Sequence, residues 1–213
     1  MLTFTGVHIT QDFGAPTIRD IAVQSMRLFR FSGGGEVLWP IGMHMMLVAD
    51  LAQDGYVHPW LEVHALLHDA AEVVVADVPR PMKTAEARAL EDRVQTRIFA
   101  MLGVPEMTPE LKAAVKDADF KAALAEGACG IAGRGFLETQ TGYSDDVHAK
   151  AVLAEYLNRF KVADALDPDG RWPELYERRL RNALREAQHS TVSYSPENEV
   201  PTPEALASPE ADR

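Results

Sequence analysis

Three observations predict an all-α fold, a single-domain helical bundle. Leu, Ala, Glu and Arg outweigh the β-branched residues, a balance that favours helix over strand. Apolar residues recur at helical spacing in one segment after another. Stop and cap signals punctuate those segments at Ser32-Gly33-Gly34-Gly35, at Thr84 and at Thr108-Pro109. With 213 residues, 46% of them hydrophobic, the chain is long enough to bury one core without disulfides or a structural metal.

The elements follow in order. Ile18, Ile21, Ala22, Met26 and Phe29 mark a first helix over residues 16–31, which the glycine run ends. A second helix spans 41–51 and stops at Gln53-Asp54-Gly55. The third, over 60–75, carries Leu61, Ala65, Leu67 and Ala71 and is expected to be buried on most sides. Proline lacks an N–H and clashes with the preceding turn, so Pro79-Arg80-Pro81 makes 76–83 a stiff extended link. Thr84 caps a fourth helix with Leu90, Val94, Ile98 and Leu102 every fourth position, and Thr108-Pro109 opens a fifth that runs to about residue 125.

Five glycines between 127 and 142 read as a connector loop. They lack the Lys-Ser or Lys-Thr pair of a phosphate-cradling loop and follow no strand. Helical periodicity returns over 146–165 and 172–188, where Arg178, Arg179, Arg181 and Arg185 give a basic face suited to solvent or to a subunit contact in a homo-oligomer. From His189 the composition turns to Ser, Pro, Thr and Glu, with too few large apolar groups to offset the entropy of ordering. The expected organisation is a helical domain over 1–188 and a disordered acidic tail over 189–213.

The charge balance excludes some functions. A net charge of −11 repels polyphosphate backbones, so no stable nucleic-acid partner is expected, although small anions can bind where a cation receives them. Cys129 is the single cysteine, which rules out an internal disulfide framework and a cysteine-rich zinc finger and agrees with a reducing compartment. The start of the chain has neither a basic stretch nor an apolar core segment, and nowhere do roughly eighteen apolar residues run together. A cytoplasmic protein without a membrane partner is the expectation.

Chemistry concentrates on the third helix. His68-Asp69 is followed by Glu72, one turn on and on a similar face. Burying such a cluster is costly unless a cation or mutual hydrogen bonds compensate. Taken alone it reads more readily as a structural salt-bridge group than as a metal site. His44, among Met43, Met45, Met46 and Leu47, taken alone suits a core position bonded to a carbonyl. On the fifth helix Leu111, Ala114, Val115, Ala118 and Ala122 define the buried face, Asp119 falls at its edge with Glu126 beside it, and Asp117 points to solvent. Three helices thus each offer an inward or edge-placed donor. Nitrogen and oxygen donors in this mixture suit a divalent Mn, Fe, Co, Zn or Mg ion. His64 reads as a packing residue and His58, next to Pro59, as the start of the third helix, while His8, His148 and His189 lack companions at ligand spacing.

The order His44, then His68-Asp69, then Asp119 resembles the HD-domain phosphohydrolases over roughly residues 18–126. Arg30-Phe31-Ser32-Gly33, Leu67-His68-Asp69-Ala70-Ala71-Glu72 and Asp77-Val78-Pro79-Arg80-Pro81-Met82-Lys83 are similar to the subgroup of bacterial deoxynucleoside 5′-monophosphatases and phage dATP triphosphohydrolases. The resemblance implies that His44, His68, Asp69 and Asp119 bind the metal, that Glu72 and Asp77 handle water and protons, and that Arg30 and Lys83 contact the phosphate of a small nucleotide substrate. Phe31 is a candidate to stack on its base or sugar. The chain departs from the pattern at Met45, where relatives commonly carry serine, and in the apolar approach Trp39-Pro40-Ile41-Gly42. An alarmone or cyclic-nucleotide hydrolase, and a non-catalytic nucleotide-binding protein of the same fold, are the alternatives.

Overall fold

In a computed structural model, residues 1–10, 14–35, 37–53, 58–78, 82–128, 147–160 and 170–190 are described. Expectations for Pro79-Arg80-Pro81, Cys129, most of the glycine-rich loop and residues 191–213 fall outside them. All extended elements of the described chain are helices, with only two isolated backbone bridges, Leu2 to His8 and Phe29 to Pro40.

Helix α1 (Ile18–Ser25) starts at Thr17, whose hydroxyl accepts from the Asp20 N–H while Asp20 accepts from the Thr17 N–H, a reciprocal cap. It is shorter than the periodicity predicts. The N–H groups of Arg27 and Leu28 turn back to the Gln24 carbonyl, and Phe29 leaves the helix to pair with Pro40. The chain then enters a tight turn over Arg30–Gly33 in which Phe31 and Ser32 adopt left-handed φ of 57° and 53°. That conformation is uncommon for residues with a Cβ and makes the turn a locally strained one.

Helix α2 (Ile41–Ala52) is buried along nearly its whole length and packs on α3 (Leu61–Leu67) and α6 (Pro109–Ala128). Gly42 permits its close approach to α1, because a Cβ there would lie 2.7 Å from Ser25 Oγ and from the Met26 terminal carbon. The predicted third helix is broken. It ends at Leu67, passes through a turn at His68–Ala71 and resumes as the single turn α4 (Glu72–Val75).

Helix α5 (Ala85–Leu102) has the predicted Thr84 cap, with the Ala87 N–H donating to the threonine hydroxyl, and Gly103 closes it at a left-handed φ of 66°. Thr108 likewise caps α6 through the Leu111 N–H. That helix continues through Gly127 to Ala128, past the predicted end, so the connector begins later than composition indicates. Helix α7 (Val147–Phe160) packs on α6, and α8 (Trp172–Ser190) packs on α1 and α3. Its buried stripe of Trp172, Tyr176, Leu180, Ala183, Leu184 and Ala187 carries the last helix two residues beyond the predicted boundary, so His189 and Ser190 are helical. Among the described residues no helix is long and apolar enough to cross a membrane.

Candidate metal centre

Helices α2 and α6 and the turn after α3 bring His44, Asp119 and His68 together, as their order predicts. One ligand atom from each lies within 4.8 Å of the others, and the three can hold a metal ion. The two imidazole Nε2 atoms face each other at 3.3 Å, and Asp119 Oδ1 stands 3.1 Å from His44 Nε2 and 3.8 Å from His68 Nε2. Asp69 adds an oxygen 3.2 Å from His68 Nε2 and 3.7 Å from His44 Nε2. Bonds of about 2.1 Å to a shared ion put neighbouring donor atoms roughly 3.0–3.4 Å apart, close to this spacing.

The far side of each ring sets which nitrogen faces inward. His68 Nδ1 donates to the Ala65 carbonyl at 2.8 Å, an acceptor that admits no other tautomer. His44 Nδ1 donates to Glu126 Oε1 at 2.6 Å. Both Nε2 atoms are thereby turned toward one point, the arrangement found where outer partners orient metal-ligating histidines. Glu126 is completely buried and fully used: Trp39 Nε1 donates to Oε1 at 2.8 Å and Arg30 Nε to Oε2 at 3.2 Å. Glu126 and Trp39 were assigned no role by sequence reasoning. The available signal was the seven-residue spacing of Glu126 from Asp119, two turns along one helix face.

The electrostatics favour positive charge at the convergence point. Burial opposes the charged form of His68, yet the adjacent Asp69 carboxylate, with Asp119, pushes the imidazole up to about 9. Burial also works against the Asp119 carboxylate, while the hydrogen bond from His44 and the charge of His68 hold it down to about 2. Asp69 is held well below the usual carboxylate range, against burial, by His68, His44 and Arg30. Glu72 behaves in the opposite way: burial and then the charges of Asp69 and Asp77 push it up to about 9. Its Oε2 is buried with no hydrogen-bond partner.

The remaining predicted residues surround this group in pairs. Arg30 reaches Asp69 through Nη1 at 3.4 Å, besides its bond to Glu126, and its guanidinium carbon lies 5.2 Å from the Phe31 ring centroid. Asp77 accepts the Phe31 N–H at 3.0 Å and so ties the strained turn to the segment after α4. Ala76 directs Asp77 there from a φ of 69° and ψ of 158°, a conformation close to glycine's own. Lys83 pairs with Glu91 at 2.6 Å and stands 3.8 Å from Glu72. Met45, the departure from the expected pattern, is fully buried with its sulfur 3.7 Å from the Tyr176 hydroxyl. Its role is to pack α2 against α8. His64, as expected of a packing residue, is buried edge-on to Phe99.

No family model matches the chain. It is 33% identical over 118 residues to an uncharacterized protein of Rhodobacter capsulatus, an alignment covering 51% of this chain and 60% of that protein. It is 29% identical over 123 residues to the uncharacterized protein YfdR of Escherichia coli, covering 55% of this chain and 65% of the relative. The chain therefore spans less than two thirds of the length of these curated relatives.

Proposed function

We propose that the chain is a metal-dependent phosphohydrolase that cleaves the 5′-phosphate ester of deoxynucleotides, with His44, His68, Asp69 and Asp119 holding a divalent cation. The observation that carries this reading is the convergence of two oriented Nε2 atoms with the oxygens of Asp119 and Asp69. The orphaned Oε2 of Glu72 fits a site built around a water, since a buried carboxylate oxygen without a partner is costly in a purely structural cluster. The ordered motifs shared with the HD-domain phosphohydrolases supply the substrate class. When bound, a divalent cation neutralises phosphate oxygens and lowers the pKa of a water, the two obstacles to attack on a phosphate ester.

The chain's own groups divide the remaining work. Glu72, with a buried oxygen left without a hydrogen-bond partner, orients the attacking water or shuttles its proton. Asp77, anchored by the Phe31 N–H, is its partner in that role. Arg30 is braced by Glu126 through Nε and by Asp69 through Nη1, which leaves Nη2 to meet a phosphate oxygen. Lys83 adds a point charge beside Glu72, and the Phe31 ring offers a stacking surface next to Arg30. Water adds at the α-phosphorus as the bond from that phosphorus to the 5′ oxygen breaks; the proton given up by the water passes by way of Glu72 and Asp77 to the departing 5′ oxygen, releasing nucleoside with phosphate or with triphosphate.

Elemental analysis of the purified chain, followed by product identification with deoxynucleoside mono- and triphosphates under Mn, Co, Zn, Fe and Mg, tests the reading. Bound metal with nucleoside as a product supports it. Metal without turnover on any nucleotide points to a non-catalytic binding protein, and cleavage confined to an alarmone or cyclic nucleotide selects the alternative substrate class.

A further inference from the structure

The break between α3 and α4 occurs where the two metal-facing residues of the turn, His68 and Asp69, must both present side chains to the centre. In an unbroken helix the Leu67 carbonyl would accept from the Ala71 N–H. Here the carboxamide of Gln95, reaching over from α5, occupies the space between those two groups. Its Nε2 donates to the Leu67 carbonyl at 2.8 Å, and its Oε1 accepts from the Ala71 N–H at 3.0 Å. Insertion of a side chain into the helical ladder is a recognised cause of a sharp kink.

The neighbouring carbonyls are satisfied to match. The Ala65 carbonyl accepts from His68 Nδ1, the bond that turns His68 Nε2 toward the centre. The Leu66 carbonyl accepts from the buried hydroxyl of Tyr176 on α8. The Ala70 N–H closes a tighter turn onto Leu67 at 3.0 Å. Beyond the break, α4 restarts with Glu72, whose N–H bonds to the Asp69 carbonyl at 3.0 Å.

We propose that Gln95 is a positioning residue: its carboxamide wedges the chain open at His68–Ala71 and thereby aims His68 and Asp69 at the metal and Glu72 beside it. Gln95 touches neither a ligand atom nor a substrate. It acts through the backbone of the turn, at one amide donor and one carbonyl acceptor that no other residue type matches at this length. The proposal rests on the metal-centre reading above.

The test uses the full chain, stripped of metal, with cobalt(II) as the probe in calorimetric titration and amide hydrogen exchange read at Ala71. Gln95→Met keeps the length and removes both hydrogen-bonding groups. It is expected to weaken cobalt binding by about tenfold to a hundredfold, the usual cost of losing an outer partner of a metal ligand, and to speed exchange at Ala71. Val94→Ala, at a buried neighbour on the same helix, controls for general loosening and is expected to lower Tm without changing cobalt affinity. If Gln95→Met does not fold, Gln95→Glu provides the reading: it keeps the acceptor for Ala71 but sets oxygen against the Leu67 carbonyl in place of the donor, so a loss of cobalt affinity is again expected. Cobalt affinity within about twofold of wild type in the variant that folds, or an equal loss in Val94→Ala, overturns the proposal. Failure of the wild-type chain to bind cobalt instead overturns the metal-centre reading and the wedge's purpose with it.

Discussion

The buried carboxylates of Asp20 and Glu72 answer the same physical problem in opposite ways. Asp20, fully buried at the start of α1, accepts from the N–H and hydroxyl of Thr5 at 2.7 and 2.8 Å and from the N–H and hydroxyl of Thr17 at 2.9 and 2.7 Å. Burial opposes its charge, but these bonds hold its pKa below the usual value. Glu72 has one oxygen with no partner and a lysine no nearer than 3.8 Å, and its pKa rises to about 9. A carboxylate saturated by fixed donors is a structural joint. One left short of partners among other acids and imidazoles is a place where a proton, a water or a cation changes the energy most.

The largest expected effect separates these two regions outright. Under the proposed function Asp69→Ala removes an anion that helps hold the metal and not a packing group, so metal retention and hydrolysis should disappear while the helical circular dichroism remains. Stoichiometric metal in that variant would remove Asp69 from the ligand set. Glu72→Gln should keep metal and substrate but lower kcat by roughly a hundredfold to ten-thousandfold, the range of general acid–base contributions. Normal turnover in Glu72→Gln would transfer the proton-handling role to Asp77.

Asp20→Ala should behave as the converse. It strands four donors and is expected to cost about 3 kcal/mol, or roughly 6–12 °C in Tm for a domain of this size, with metal affinity unchanged. A loss of metal equal to that of Asp69→Ala would erase the distinction between joint and site.

A smaller effect sharpens the contrast within α3 itself. His64 stands one turn before His68, with both ring nitrogens buried and unpartnered, and burial together with the nearby His58 pushes it down to about 4. Its folded pKa lies below the ordinary histidine value of about 6.5. The unfolded chain therefore takes up the proton first, and the stability contributed by neutral His64 is complete above about pH 6.5 and declines as pH falls toward 4. His64→Leu should flatten the dependence of Tm on pH across that window in the metal-free chain. An unaltered slope would place the acid sensitivity elsewhere.

Much of this arrangement was legible in advance, for identifiable reasons. The caps at Thr84 and Thr108, the buried face of α6 and the grouping of His44, His68 and Asp119 follow from residue type and spacing within one element or from the order of motifs. The unbroken helix over 60–75 was wrong because periodicity counts apolar positions and is blind to a side chain inserted from another helix. The early end of α1 has a similar origin, since the pairing of Phe29 with Pro40 lies across an intervening turn.

What the sequence by itself determined is the helical class, most helix starts and the inventory of donor atoms, because backbone propensity, capping and side-chain chemistry are local properties. Only the tertiary structure decided how those atoms are aimed. Glu126 orients His44 from 82 positions away, Tyr176 holds the Leu66 carbonyl from 110 positions away, and Gln95 reaches Leu67 from 28 positions away. Contacts at such separations depend on which helix faces meet, and that is settled by packing the whole core around α2 rather than by any window of sequence.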